Sequence, residues 1–341
     1  MSQSPVSALI LAAGKGTRMK SDKAKVLHEV FFAPMIHHVL DAVAPLGLDA
    51  TVVVIGHQRE KVMSALADYR VLFACQDKQL GTGHAVLAAR ELLQARGGTV
   101  LILCGDTPLI RTVTLRDMLA EHACSDAVLT VMTTELDDPT NYGRILTDDR
   151  GGVQGIIEEK DASPVQRSIR EVNAGIYCVQ VDFLFQALRE VGTDNSQGEV
   201  YLTDIVGLAH RSAQQVRRFL CVDPEEVLGV NSRIELAVAG ARLRERRNRQ
   251  LMADGVTLMQ PETIAVEETV LVGNDTVVEP HVRVTGATVI GRDCLIESFC
   301  DIRACQIGDG VRIGAFAYLE NCSIPSGETV PPRATVRGKL D

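Results

Sequence analysis

Residues 8–19, "ALILAAGKGTRM", set an apolar run against two glycines, a lysine and an arginine, and Lys25 follows shortly after. That combination suits an anion. Glycines let backbone N–H groups approach phosphate oxygens closely, and the cations offset the charge. Two common phosphate loops are excluded. A Walker A loop needs G-x-x-x-x-G-K-[ST], but five residues after Gly14 stands Met19. The dinucleotide fingerprint G-x-G-x-x-G begins at Gly14 and Gly16 and then meets the same Met19. What remains is a glycine-rich turn carrying Lys15, Arg18 and Lys25. Spacing alone fits either a phosphate cradle or a tight strand-to-helix turn with surface cations.

Other reactive residue types form no motif by themselves. No carboxylate or cysteine stands at metal-ligand spacing from the His37–His38 pair, so these two read as helix surface and packing. His57 and His84 are likewise left out of the catalytic set. The nine cysteines are scattered without a C-x-x-C pair, so zinc-site spacing is missing. An odd number of cysteines in strand-like stretches points to free thiols in a reducing compartment, and a cytoplasmic protein is expected. The apolar run 6–13 is too short to span a membrane and lacks a basic leader.

The elements that must position these residues alternate. "TVVVIG" (51–56), "VLFACQ" (71–76), "TVLILCGD" (99–106) and "AVLTVMTT" (127–134) read as strands. Between them, "PMIHHVLDAV", "TGHAVLAARELLQA" and "TLRDMLAEHA" carry helical periodicity, with Pro34 at a helix start. Strand–helix alternation predicts a Rossmann-like, mostly parallel α/β sheet covered on both faces, with ligands beyond the carboxyl ends of its strands. Gly14–Arg18, Gln76 and Asp106 all fall at such ends.

Three regions follow: an α/β domain over 1–230, an arginine-rich connecting helix over 231–255, and a repeat over 256–341. In the repeat, Val266, Val272, Val278, Val284, Ile290, Ile296 and Ile302 stand six apart. The register continues through Ile307, Ile313, Leu319, Ile324, Val330 and Val336. A hexapeptide period makes each short strand one side of a prism with its aliphatic residue inward, giving about four turns at three hexads each. With 341 residues, 46% hydrophobic content and a net charge of −9, the chain reads as a globular protein without an affinity for nucleic acid or anionic membranes.

The ordered set "LAAGKGTRM", "KAKVLHEV", "QLGTGHA", "GDTPLI", "DDPTNYGRI", "IIEEKDA", "EVNAGIY", "QGEVYLTD" and "GVNSR" resembles the sugar-nucleotide pyrophosphorylases. Within them it is most similar to the uridylyltransferase half of the bacterial N-acetylglucosamine-1-phosphate uridyltransferase/glucosamine-1-phosphate acetyltransferases. The resemblance implies transfer from UTP to N-acetylglucosamine 1-phosphate, for cell-envelope precursor synthesis. It also implies Mg2+ as cofactor, a left-handed form for the β-helix and a homotrimer assembled through it.

Residue by residue, the resemblance matches Leu11, Ala12, Ala13 and Gly14 to the backbone holding uracil and ribose. Gln76 and Gly81–Thr82 match the uracil-recognising positions. Arg18 and Lys25 match the catalytic cations on the phosphates. Asp106 and Asn231 match the metal ligands, and one carboxylate with one amide oxygen suits magnesium. Gly143, Glu158 and Asn173, with Lys160, match the sugar-binding positions. Taken alone, Glu158 also reads as part of a solvated "EEKD" loop, and Asn173 as a strand bulge.

The sequence departs from the family in two respects. The coils that would carry acetyl transfer are missing, so no acetyltransferase activity is expected. Cys104 and Ala174 replace the family's usual tyrosine and threonine beside presumed ligand positions. Transfer to another hexose 1-phosphate (glucose or N-acetylgalactosamine), or a solenoid acyltransferase, are the alternatives.

Overall fold

The computed structural model describes residues 4–338, which fall into two units divided between Leu236 and Ala237. In the first unit the strands of the main sheet are β1 (Val6–Ala12), β2 (Ala50–Ile55), β3 (Leu72–Cys75), β4 (Thr99–Cys104), β5 (Leu129–Glu135), β6 (Arg144–Thr147), β7 (Val153–Ile157), β8 (Glu171–Gln180) and β9 (Val216–Leu220). They form one nine-stranded sheet in the order β9-β5-β8-β4-β1-β2-β3, with β6 joining β7 to β8. β1 runs parallel to β2 and β4, and β2 parallel to β3. β8 alone in the main path runs against its neighbours, β4 and β5.

The strands are apolar on both faces because both faces are covered. Ile10, Val53, Leu101 and Leu103 pack with Ile36 and Val39 of the helix Met35–Val43 and with Leu115 and Met118 of the helix Thr112–Ala123. The alternate residues Leu9, Val52, Val54, Val100 and Ile102 pack on the other side with Val86, Leu93, Leu184 and Ile205. The predicted helix over "TGHAVLAARELLQA" is broken into Thr82–Ala88 and Arg90–Gln94. The break is at Ala89, whose N–H bonds only three residues back, to Val86.

The order β3-β2-β1-β4 reverses direction between β1 and β4. At such a reversal the loops leaving adjacent strands diverge, which opens a crevice at their carboxyl ends. Residue 14 leaves β1, Gln76 leaves β3 and Asp106 leaves β4, so all three lie at that end. A two-residue excess in β8 between Asn173 and Tyr177, relative to β5, makes a bulge there.

The helix Arg233–Ala253 begins in the first unit and continues in the second. From Thr257 onward the second unit is a left-handed parallel β-helix, built from very short strands in three parallel sheets of five, five and four strands. The hexad residues stack coil upon coil. Val266, Val284, Ile302, Leu319 and Val336 form one column. Val272, Ile290, Ile307 and Ile324 form the second, and Val278, Ile296, Ile313 and Val330 the third. The five-residue steps in the sequence shorten a coil without disturbing a column. At corners the backbone turns left-handed, even at His281, Phe299 and Phe316 (φ 61–63°). That conformation costs about 1–2 kcal/mol for a residue with a Cβ. Stacking of the three rings, at centroid spacings of 4.7 and 4.9 Å, offsets part of it. No helix among the described residues is long and apolar enough to cross a membrane.

Ile302 is fully buried in the middle of its column. Replacement by alanine is expected to remove about 2–5 kcal/mol. Loss of the surface Arg312–Glu297 pair by Arg312→Ala should cost far less, because water screens an exposed ion pair. Peptide-resolved hydrogen exchange across residues 257–337 measures both; equal protection in the two variants would refute the inward stack.

Candidate active site

A cavity of about 260 Å³ opens at the carboxyl end of the first sheet. The backbone of Leu11, Ala12, Ala13 and Gly14 forms one wall, and Lys25, Gln76, Gly81, Thr82, Cys104 and Asp106 complete much of the rest. A Cβ added to Gly14 would meet nothing within 4 Å, so this glycine leaves main chain open rather than solving a packing problem. Gly16 is different. Its φ is +66°, and a Cβ there would lie 2.7 Å from the Lys25 Cβ. Only glycine lets the loop turn while the Lys25 stem passes against it.

That stem delivers an ammonium to two oxygens from distant parts of the chain. Lys25 Nζ forms an ion pair with Asp106 and donates to Asn231 Oδ1 at 2.7 Å. Arg18 Nη2 donates to the same Asn231 oxygen at 2.8 Å. Asn231 is aimed by its surroundings. Its Nδ2 donates to the Gly229 carbonyl, and the Val230 N–H bonds to the Asp106 carbonyl. Directly after it, Ser232 and Glu235 cap each other's N–H groups at the start of the helix Arg233–Ala253.

The donor set here suits a magnesium ion. Asp106 Oδ2 and Asn231 Oδ1 both face one cationic point, and one anionic plus one neutral oxygen fits a hard divalent ion. No group of three His, Cys, Asp or Glu side chains suited to a metal occurs among the described residues, so further ligands would come from water and substrate phosphates.

Gln76 is buried, and its amide nitrogen faces the Gly81 carbonyl at 3.3 Å and His84 Nδ1 at 2.9 Å. Gly81 has φ +106°, and any Cβ would sit 2.5 Å from the Val200 carbonyl. The "LGTGH" turn is pinned to residues 200–202 by Gly83 N–H to Val200 O and by Leu202 N–H to Thr82 Oγ1.

Gly143, Glu158 and Asn173 form a second group. The Asn173 N–H bonds to the Gly143 carbonyl at 2.8 Å, and a Cβ on Gly143 would lie 3.6 Å from both Glu158 carboxylate oxygens. Asn173 sits at the β8 bulge, its Oδ1 accepting from the Gly175 N–H and its Nδ2 donating to Tyr177 Oη. None of the three lines the cavity of Lys25 and Asp106; Glu158 borders a neighbouring acidic one with Asp161 and Asp204. Cys104 lies between the groups. Its thiol lines the first cavity and contacts the Gly175 carbonyl at 3.8 Å. Burial first, and then Asp106, push that thiol up to about 12, so it stays neutral. Lys160 Nζ donates to Gln197 Oε1 at 2.6 Å.

His37 and His38 bond to the backbone carbonyls of Ala65 and Val30, and His57 bonds to that of Asp22. Those three serve packing and loop anchoring. His84 does not, and it joins Gln79 and Glu199 as residues near the cavity that sequence spacing did not single out.

Burial raises the Glu158 carboxyl above its ordinary 4.5, with Asp204 and Asp161 adding to it and a 3.0 Å bond from Thr203 opposing. The unfolded chain ionises this group at the ordinary value. The folded chain therefore holds more protons just above it, and stability falls as pH rises through the folded value. Glu158→Gln cannot ionise, so it should be more stable than the native chain near neutral pH. The difference should close below about pH 4. Thermal unfolding across that range tests this; a difference independent of pH would show that burial of the charge is not the cause.

Comparison with known proteins gives two domain families. The MobA-like NTP transferase domain matches residues 8–171, and the bacterial transferase hexapeptide (six repeats) matches residues 287–321. The bifunctional protein GlmU of Desulfotalea psychrophila is 49% identical over 329 residues, which is 96% of this chain and 97% of that protein. The bifunctional GlmU of Pelobacter propionicus is 45% identical over 333 residues, 97% of this chain and 72% of that protein. That of Geotalea daltonii is 48% identical over 307 residues, 90% and 67%. A nucleotidyltransferase domain and a hexapeptide β-helix are thus both present.

Proposed function

The chain belongs to the family of the bifunctional GlmU proteins, and from that premise we propose that it transfers the uridylyl group of UTP to N-acetyl-α-D-glucosamine 1-phosphate, giving UDP-N-acetylglucosamine and pyrophosphate. The observation that carries this reading is the convergence of Lys25, Asp106, Asn231 and Arg18 beside a cavity walled by the Leu11–Gly14 backbone. A nucleoside triphosphate and a sugar phosphate are both polyanions, and this is where the fold gathers cations and oxygen ligands together.

The reaction needs no dedicated general base. A phosphomonoester has its second pKa at about 6, so the attacking oxygen already carries charge near neutral pH. It bonds to the α-phosphorus as the bond to pyrophosphate breaks. The protein's work is to hold two anions in line and to offset the charge that builds up. Lys25 and Arg18 supply positive charge on the phosphates. The Leu11–Gly14 backbone, Gln76 and Gly81–Thr82 hold the nucleoside, while Gly143, Glu158 and Asn173 orient the sugar. Asp106 and Asn231 would hold magnesium, which when bound neutralises phosphate oxygens.

Pyrophosphate release from UTP with magnesium and a panel of sugar 1-phosphates tests the proposal. Release is expected with N-acetylglucosamine 1-phosphate and not with chelator. Release with glucose or N-acetylgalactosamine 1-phosphate instead would keep the mechanism and overturn the sugar. Asp106→Ala should lower kcat by about a hundredfold or more in a folded protein; near-native turnover would overturn its role.

We also propose that the β-helix assembles the chain as a trimer and does not acetylate amino sugars. In support, His281 is the sole histidine from residue 237 onward, and its ring stacks on Phe299 at a corner of the prism. Sedimentation at the monomer mass of 36.9 kDa, or turnover of acetyl-CoA with glucosamine 1-phosphate, would refute the corresponding half.

A further inference from the structure

We propose that His84 is a positioning residue for base selection: it fixes which end of the Gln76 amide is offered to the nucleotide. The proposal rests on the uridylyl-transfer reading, since it concerns the base that the same cavity holds.

The geometry leaves little freedom. The Gly81 carbonyl can only accept, so the Gln76 group facing it at 3.3 Å is the amide nitrogen. That same nitrogen lies 2.9 Å from His84 Nδ1. An amide nitrogen donates and has no lone pair to offer, so Nδ1 must be the acceptor and the ring proton sits on Nε2. Both amide hydrogens are thereby used inside the protein. Gln76 Oε1 receives no hydrogen bond from any described residue, and Gln76 lines the cavity. The side chain therefore presents an acceptor and no donor.

Set against ring position 3, an acceptor fixed in this way discriminates between pyrimidines. Uracil has an N3–H that can donate to Oε1. Cytosine has a lone pair at N3, which would meet the Oε1 lone pair with no proton between them. Rotating the amide would repair the cytosine contact, but it would turn Oε1 toward the Gly81 carbonyl and require the His84 ring proton to move from Nε2 to Nδ1. Carbonyl and imidazole thus hold the amide together. Gly81 contributes by backbone, so His84 is the member whose side chain can be changed. It stands on the first turn of the helix Thr82–Ala88, which is itself pinned to residue 200 through Gly83.

The test compares the native chain, His84→Ala and His84→Asn with UTP and CTP in the pyrophosphate-release assay. Asparagine can place its Oδ1 near the position of Nδ1 and so restore the acceptor. For His84→Ala the kcat/KM ratio of UTP to CTP is expected to fall about 10- to 100-fold. The fall should come through KM for UTP, with KM for the sugar 1-phosphate unchanged, and His84→Asn should recover most of the ratio. A ratio unchanged in His84→Ala, or His84→Asn behaving like alanine, would overturn the role of His84 while leaving uridylyl transfer intact. A native chain that uses CTP as well as UTP would instead overturn the base assignment, and this proposal with it.

Discussion

One ammonium ties the candidate site together. Lys25 Nζ is shared by Asp106 and Asn231, residues separated from it by 81 and 206 positions in sequence. No local structure could bring them together. Asp106 arrives because β4 pairs with β1, which sets Gly105 against the Leu11 carbonyl. Asn231 arrives because the chain crosses back to that point, where Val230 bonds to the Asp106 backbone. Lys25 can reach both only because Gly16 yields space to its stem. The side chains of the pair are 13% and 19% exposed, so their attraction is screened less than at an open surface. A partly desolvated cation needs anionic or polar oxygens, and the site supplies them; an arriving polyanion competes for the same charge.

Much of this was legible in sequence because it is written in local patterns. Strands covered on both faces read as continuous apolar runs, and each hexad residue named from spacing lies in a strand of one of the three columns. The ends of the strands carry the polar residues, so the rule for ligand position picks out Gly14, Gln76 and Asp106 from sequence alone. The pairings were harder to read. Nothing in "EVNAGIYCVQ" says that it runs antiparallel between β4 and β5, because direction is decided by partners far along the chain. The same residues show why Asn173 allowed two descriptions. It is at a bulge, and it also touches Gly143 beside Glu158, so the bulge is the device that brings it there. His84 stays outside the catalytic set in sequence, and its link to Gln76 crosses a turn, outside helical spacing.

The group around Glu158 has a physical character opposite to that of the cationic end. Glu158, Cys104 and Tyr177 are all pushed by burial toward their neutral forms. A carboxyl held partly out of water accepts a hydroxyl or amide hydrogen strongly when a ligand provides one, and its desolvation has already been met in folding. The same desolvation weakens the folded chain at neutral pH when no ligand is present. Such a group is tolerable only on a frame with stability to spare. The layers under the sheet, where Leu9, Ile10, Val53, Leu101 and Ile102 are fully buried, provide that frame. The crevice therefore lies at the end of the sheet, where backbone and polar residues can be exposed without opening either apolar layer.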